Sequence, residues 1–110
     1  MPRQALGLLQ GTVDVLILKT LSWKPLHGYG VSEFIRRQTG GDLSVEDAAL
    51  YQALHRLERK GLVDSEWGVS ESNRRARIYS ITSDGRKQMR SEVVELRRYM
   101  TALFRVLEPA

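Results

Sequence analysis

Apolar side chains recur at helical spacing in three short stretches, change to strand-like patterning after Gly61, and resume helical spacing from Thr82 to Leu107. Thr12 is placed to cap a first helix whose Val13, Leu16, Ile17 and Leu21 share a face, and Pro25 marks its stop. The segment Leu26-His27-Gly28-Tyr29-Gly30 reads as a loop leading into a second helix, with Val31, Phe34 and Ile35 on one side and Gly40-Gly41 as its C-cap. A third helix is predicted from Ser44, where Ser44-x-x-Asp47 has the form of a capping box, to Lys60, with Gly61 beyond its end. Leu62, Val63, Trp67 and Val69, then Ile78, Tyr79 and Ile81, are strand formers on either side of the polar stretch Ser70-Glu71-Ser72-Asn73-Arg74-Arg75, which predicts an antiparallel hairpin. Two strands do not hold together alone in water, so the hairpin must lean on the helices. Thr82 then caps a last helix, with Asp84 in its first turn, that runs to about Leu107 before Pro109.

Three helices, a hairpin and a long helix are the layout of a winged helix-turn-helix domain, a mainly α fold with a two-stranded β wing and a long C-terminal helix. Residues 1–82 are expected to form the winged-helix domain and residues 83–110 a dimerisation helix, within one compact unit. At the helical period, Leu50, Ala53, Leu54 and Leu57 of the third helix fall on one arc and Ala48, Gln52, His55 and Arg59 on the opposite one, with Tyr51 and Arg56 on the flanks. The first arc suits a core. The second carries groups able to meet nucleic acid: arginine pairs with guanine, glutamine with adenine, and tyrosine donates to a phosphate oxygen. Any surface helix also turns a polar face to water, so this helix alone leaves both readings open.

The hairpin adds weight to one of them. Arg74, Arg75 and Arg77 crowd into four residues beside Ser72 and Asn73, a flexible basic tip suited to phosphates or a minor groove. A solvated turn looks similar in isolation; its position just after a helix with a hydrogen-bonding face is what favours double-stranded DNA as partner. Gln52, His55 and Arg59 are then the candidates for reading bases, and Tyr51, Arg56, Lys60 and the three wing arginines for gripping the backbone.

Met89, Val93, Leu96, Met100, Leu103 and Leu107 are separated by steps of 4, 3, 4, 3 and 4, an a/d heptad seam along the last helix. Its first turns are expected to pack on the subunit's own head. A helix of roughly 25 residues is about 37 Å long, more than a three-helix head covers, so the distal half is expected to meet a second copy, with Tyr99 and Phe104 widening the contact. A homodimer of this kind would present two third helices to successive major grooves of a pseudo-palindromic site, roughly 34 Å apart.

Composition bounds the remaining possibilities. The chain has 110 residues, 42% of them hydrophobic and 27% charged, the size of one globular domain. A net charge of +4 and a pI near 9.8 permit a polyanionic partner without demanding one. Residues 46–81 hold six bases and six acids, so placement and not total charge carries the argument. Glu46 and Asp47, near the start of the third helix, would repel phosphate unless directed away from it. The absence of cysteine excludes disulfides, thiolate catalysis and cysteine-based metal sites. No apolar run approaches the roughly 18 residues of a membrane span. Residues 1–10, one arginine followed by Leu6, Leu8 and Leu9, lack the apolar length and cleavage site of a secretory leader, so a cytoplasmic location is expected.

His27 and His55 have no ligand partners at metal spacing, and neither a metal nor another cofactor is expected. No Gly-x-Ser-x-Gly elbow or comparable arrangement sets a nucleophile beside a base, and Gly28-x-Gly30 lacks the strand and third glycine of a dinucleotide loop. An enzyme is therefore the weakest class. A winged helix that uses its polar helix for protein contacts stays open beside the DNA-binding reading. Trp23 and Trp67 are expected as anchors of core and wing rather than as an aromatic ligand site between protomers.

Five segments bear on that choice: Gly11-Thr12-Val13-Asp14-Val15-Leu16-Ile17-Leu18, Pro25-Leu26-His27-Gly28-Tyr29, Leu50-Tyr51-Gln52-Ala53-Leu54-His55-Arg56-Leu57-Glu58, Gly61-Leu62-Val63, and Tyr79-Ser80-Ile81-Thr82 followed by Gly85. In this order and spacing the chain resembles the PadR-like transcriptional regulators, over about residues 8–107, with the second and third segments the most specific. The resemblance implies a winged-helix DNA-binding domain, a C-terminal helix used for dimerisation, and repression of nearby genes, often released by a small-molecule effector. It also implies that Tyr51 lies on the recognition helix close to the DNA backbone. The chain departs from the family pattern at Gln52, where proline is usual, and at Ala48-Ala49, where Gly-Ser or Gly-Thr is usual. Gln52 regains a backbone N–H and adds an amide at the DNA-facing end, which bears on operator preference.

Overall fold

The structure, a computed structural model, describes residues 8, 9 and 11–110. The stretch read above for a leader lies outside them, apart from Leu8 and Leu9. In chain order the elements are α1 (Thr12–Leu21), β1 (Leu26–His27), α2 (Gly28–Gln38), α3 (Asp47–Arg59), β2 (Val63–Val69), β3 (Arg75–Ile81) and α4 (Ser83–Leu107). The strands form one antiparallel sheet in the order β1-β3-β2. This is a winged helix, mainly α, followed by a long C-terminal helix of 25 residues.

The wing holds one strand more than the sequence pattern predicts. β1 pairs Leu26 with Tyr79 and His27 with Ile78, where a loop was expected. Two residues carry no alternation of their own, so only the partner strand defines them.

α1 packs against α2, α3 and α4. Its Ile17, Leu18 and Leu21 meet Val31 and Ile35 of α2, Leu50, Ala53, Leu54 and Leu57 of α3, Val63 and Tyr79 of the sheet, and Met89 of α4. The inward arc of α3 is the one its period predicts. Trp23, expected in the core, is instead 67% exposed, with the Lys19 ammonium 5.2 Å from its ring centroid. It follows the end of α1, beyond the last residue that the core covers.

Helix ends show where local chemistry departs from the predicted boundaries. Gly11, with φ of 87°, precedes α1, and the Thr12 hydroxyl donates back to the Leu9 carbonyl at 2.7 Å instead of capping. α2 begins three residues before Val31, because His27 Nδ1 accepts from the Gly30 N–H at 3.2 Å and so caps the turn that Gly28-Tyr29-Gly30 forms. α3 begins at Asp47, not Ser44: the connection is anchored by buried Val45, Glu46 is extended, and no side chain caps the helix.

The C-terminal ends of α2 and α3 follow one design. Gly41 N–H donates to the Arg36 carbonyl and Gly40 N–H to Arg37, while Leu62 N–H donates to Leu57 and Gly61 N–H to Glu58. Gly40 and Gly61 occupy the left-handed region that such caps require, with φ of 59° and 75°.

The α3 cap also seats α4. Thr82 Oγ1 accepts from the Gly85 N–H at 3.0 Å and donates to the Gly61 carbonyl at 2.7 Å, while the Thr82 N–H donates to the Leu62 carbonyl. Gly85 is buried against that same carbonyl; a Cβ there would stand 2.1 Å from the Leu62 oxygen. Helix propensity favours alanine over glycine by about 1 kcal/mol, but a backbone oxygen cannot step aside as a side chain does. Gly85→Ala is expected to lower stability by about 3 kcal/mol, read as a reduced denaturation midpoint; an unchanged midpoint would contradict this packing.

Candidate nucleic-acid interface

The inward arc of α3 leaves Ala48, Gln52, His55 and Arg59 exposed, and Lys60 exposed at its C-cap. Glu46 and Asp47 are exposed at its N-terminus. Tyr51 is 42% exposed and lies over Gly28 at the start of α2. A Cβ on Gly28 would stand 2.7 Å from the Tyr51 ring, so glycine there provides the space for the phenol. That support is not evident from the sequence, although Gly28 and Tyr51 sit in the two most specific motifs.

Arg56 is turned elsewhere. Its guanidinium pairs with the Asp14 carboxylate of α1, a contact 42 positions apart that ties α3 to the first helix. The pairing partly neutralises a side chain expected to serve phosphate.

The three wing arginines do not share one tip. Only Arg74 lies in the turn, where Ser70 N–H donates to the Arg74 carbonyl and Asn73 takes a left-handed φ of 60°. Arg75 and Arg77 are on β3 and point to one face of the sheet, since register sets Val69 opposite Arg75, Trp67 opposite Arg77, and Ser65 opposite Tyr79. Near the base of the wing that face is the buried one, carrying Val63 and Tyr79; farther out it carries Trp67. The Arg77 and Arg75 guanidiniums lie 5.5 and 4.5 Å from the Trp67 ring centroid.

Arg77 is bound to α3 as well. Its Nε donates to Ser65 Oγ at 2.8 Å, the Ser65 hydroxyl donates to Glu58 Oε2 at 2.7 Å, and Glu58 approaches the Arg77 guanidinium at 3.7 Å. Glu58 and Ser65 thus lock the wing to the C-terminal half of α3. Sequence reasoning missed both, although the alternation that aligns Ser65 with Trp67 was open to it. Burial, and then the neighbouring Glu58 carboxylate, hold the Tyr79 phenol above its ordinary pKa, so it stays a neutral part of the floor beneath this network.

On α4, Met89 is 7% exposed within the subunit's own core and Val93 packs against that core. Leu96, Met100 and Leu103 are half-buried, and Leu107 is 60% exposed. Tyr99, Phe104 and Val106 add exposed apolar surface to the distal half. Among the described residues, no group of His, Asp and Glu is placed to hold a metal ion, and no helix is long and apolar enough to cross a membrane.

A helix with an exposed polar arc beside an arginine-bearing wing, with a long helix behind, is the arrangement of a winged-helix protein. The chain belongs to the transcriptional regulator PadR-like family, whose model matches residues 17–91. It is similar to a transcriptional regulator from Clostridium thermocellum, with 31% identity and a TM-score of 0.78 over 86% of this chain and 91% of that one. It is also similar to a PadR family transcription regulator from Clostridium difficile, with 25% identity and a TM-score of 0.76 over 88% of this chain and 99% of that one. Bacillus subtilis PadR in complex with operator DNA shares the fold, with 18% identity and a TM-score of 0.67 over 76% of this chain and 47% of that one. The family is one of transcriptional regulators, not of enzymes.

The Gly28–Tyr51 contact separates site geometry from stability. The methyl group of Gly28→Ala meets only the far end of a side chain, so the substitution is expected to change stability by less than about 1 kcal/mol while displacing the phenol. Altered Tyr51 ring resonances at an unchanged melting temperature would report this; unaltered resonances would count against the contact.

Proposed function

We propose that the chain binds operator DNA as a homodimer and represses transcription in the cytoplasm. The observation that carries this reading is the exposed arc of Gln52, His55 and Arg59 on α3, bordered by Tyr51 on the α2 side and by the arginine-bearing face of the wing. Such an arc fits a major groove, where Arg59 would pair with guanine and Gln52 with adenine. Tyr51, Lys60, Arg74 and Arg75 would hold phosphates. Bacillus subtilis PadR, which shares the fold, forms a complex with operator DNA, and this supports DNA as the partner. Arg56 and Arg77, each already paired with an acid, would contribute less charge than the others.

Dimerisation would run through the distal seam of Leu96, Met100, Leu103 and Leu107, since Met89 and Val93 serve the subunit's own core. Two-fold pairing would set two α3 helices one helical turn apart on a pseudo-palindromic site. A small-molecule effector would act where α1 meets α4, in a cleft of about 630 Å³ lined by Thr12, Val15, Glu92, Leu96 and Tyr99. Neither Trp23 nor Trp67 lines that cleft.

Selection of bound fragments from random DNA at near-physiological salt tests the reading. A palindromic consensus is the expected result. A protein with no preference among duplexes would shift the argument to the alternative, in which the α3 arc docks on another protein. With a consensus in hand, Arg59→Ala is expected to flatten base preference by about 1–3 kcal/mol at one position, whereas Arg75→Ala weakens all sequences alike and lowers the salt slope by about one. Equal losses on every sequence from both would contradict the division of roles.

The seam has its own test. Leu103→Glu combined with Leu107→Glu is expected to convert a sedimenting dimer to a monomer that keeps the helical signal of its head. Affinity for a two-half-site operator should then fall by about 100-fold; a dimer that survives both charges would rule out this seam.

A further inference from the structure

Trp67 is an unusual residue to find 57% exposed on a strand of a small domain. It is not covered by the core, and its neighbours are two guanidiniums. Register places Arg77 directly opposite it and Arg75 on the diagonal, opposite Val69. Both lie within cation–π distance of the ring centroid, Arg75 at 4.5 Å and Arg77 at 5.5 Å.

The two arginines differ in what else they touch. Arg77 is fixed by Ser65 and by Glu58, so its charge is partly met within the subunit. Arg75 makes no ion pair among the described residues, and its guanidinium lies over the indole. An arginine free in solvent loses rotamer freedom when it grips a phosphate; one already laid on a ring has lost much of that freedom beforehand. A guanidinium held over a ring face keeps N–H groups with which to donate to a phosphate. From Glu58 through Ser65 and Arg77 to Trp67, a continuous chain of contacts then relates the position of Arg75 to α3.

We propose that Trp67 is a positioning residue for DNA binding, holding Arg75 on a ring that Arg77 anchors to α3, so that the unpaired guanidinium is presented to a phosphate at a set distance from the recognition helix. This rests on the DNA-binding reading of the chain. It adds to that reading the idea that wing affinity depends on an uncharged side chain as well as on the arginines.

The test uses the full-length protein and a fluorescein-labelled, mixed-sequence duplex three helical turns long, titrated by anisotropy across a salt series. Trp67→Leu is expected to weaken binding by about three- to fivefold with an unchanged salt slope, because no charge is removed. Trp67→Phe should restore most of the loss. In an Arg75→Ala background, Trp67→Leu should cost little more, since the group through which it acts is gone. In the free protein, Arg75 side-chain protons should carry upfield ring-current shifts that vanish in Trp67→Leu and persist in Trp67→Phe, a readout that needs no DNA. If Trp67→Leu binds as wild type while Arg75→Ala is weakened, the positioning role is overturned and DNA binding stands. If Trp67→Leu loses as much affinity without Arg75 as with it, the indole acts on DNA directly and the role is again overturned. A wild-type chain with no affinity for the duplex overturns both the positioning role and the function it serves.

Discussion

Burial of Leu50, Ala53, Leu54 and Leu57 against α1 is the constraint from which the rest of the molecule follows. A helix turns once in 3.6 residues, so directing these four inward directs Gln52, His55 and Arg59 outward. Three buried leucines at roughly 2 kcal/mol each set about 6 kcal/mol against any rotation of α3. That is a large part of the stability of a small domain. The polar arc therefore needs no device of its own to stay exposed, and α1, through Ile17, Leu18 and Leu21, acts as the surface that defines it.

The remaining contacts control where α3 sits relative to its neighbours. Asp14 holds Arg56, Gly28 accommodates Tyr51, and the Gly61–Leu62 turn carries both Thr82 and Gly85 of the α4 start. The segments that carry the resemblance to the family are far apart in the chain and meet at these points. Glu58 performs a similar task toward the wing, reaching Ser65 and Arg77. α3 is thereby fixed to α1 and the sheet by polar contacts, and to α2 by the Tyr51 ring over Gly28, around an apolar seat. These contacts set orientation more than stability, since half-exposed ion pairs are individually worth little.

Much of this was legible in the residue pattern, and what was not has physical reasons. Helix periodicity identifies the α3 core arc because burial repeats along that helix, and the run of α4 because its apolar residues keep the period; Thr82 caps α4 as its side chain suggests. Boundaries that depend on distant partners are different. β1 exists only through pairing with β3, α3 starts late because Val45 is drawn into the core, and α2 starts early because His27 supplies a cap that its residue type does not advertise. In the site, the polar face of α3 is readable from spacing. The grouping of Arg74, Arg75 and Arg77 is misleading, because proximity in sequence does not show that β3 begins at Arg75 and sends two of the three to one face. Trp23 illustrates the same limit: hydrophobicity predicts burial, but the buried part of α1 ends at Leu21.

α4 raises the question that the single subunit leaves open. Its first positions are covered by the head, while exposure grows toward Leu107 along one apolar seam. Intrinsic propensity makes an isolated helix of three or four turns marginal in water, and most helical stability comes from packing an amphipathic face. Beyond Met100 the helix has little of its own subunit to pack against, yet it keeps apolar residues at a and d and adds Tyr99, Phe104 and Val106 around them. A helix built only to close its own head would turn polar where the head ends. Continuing the seam instead favours a covering partner, and an a/d stripe is self-complementary under a two-fold axis. On the proposed dimer, the order of the last turns and the spacing of the two α3 helices would then depend on one contact, so that whatever loosens the seam would also disturb the register in which the polar arcs face DNA.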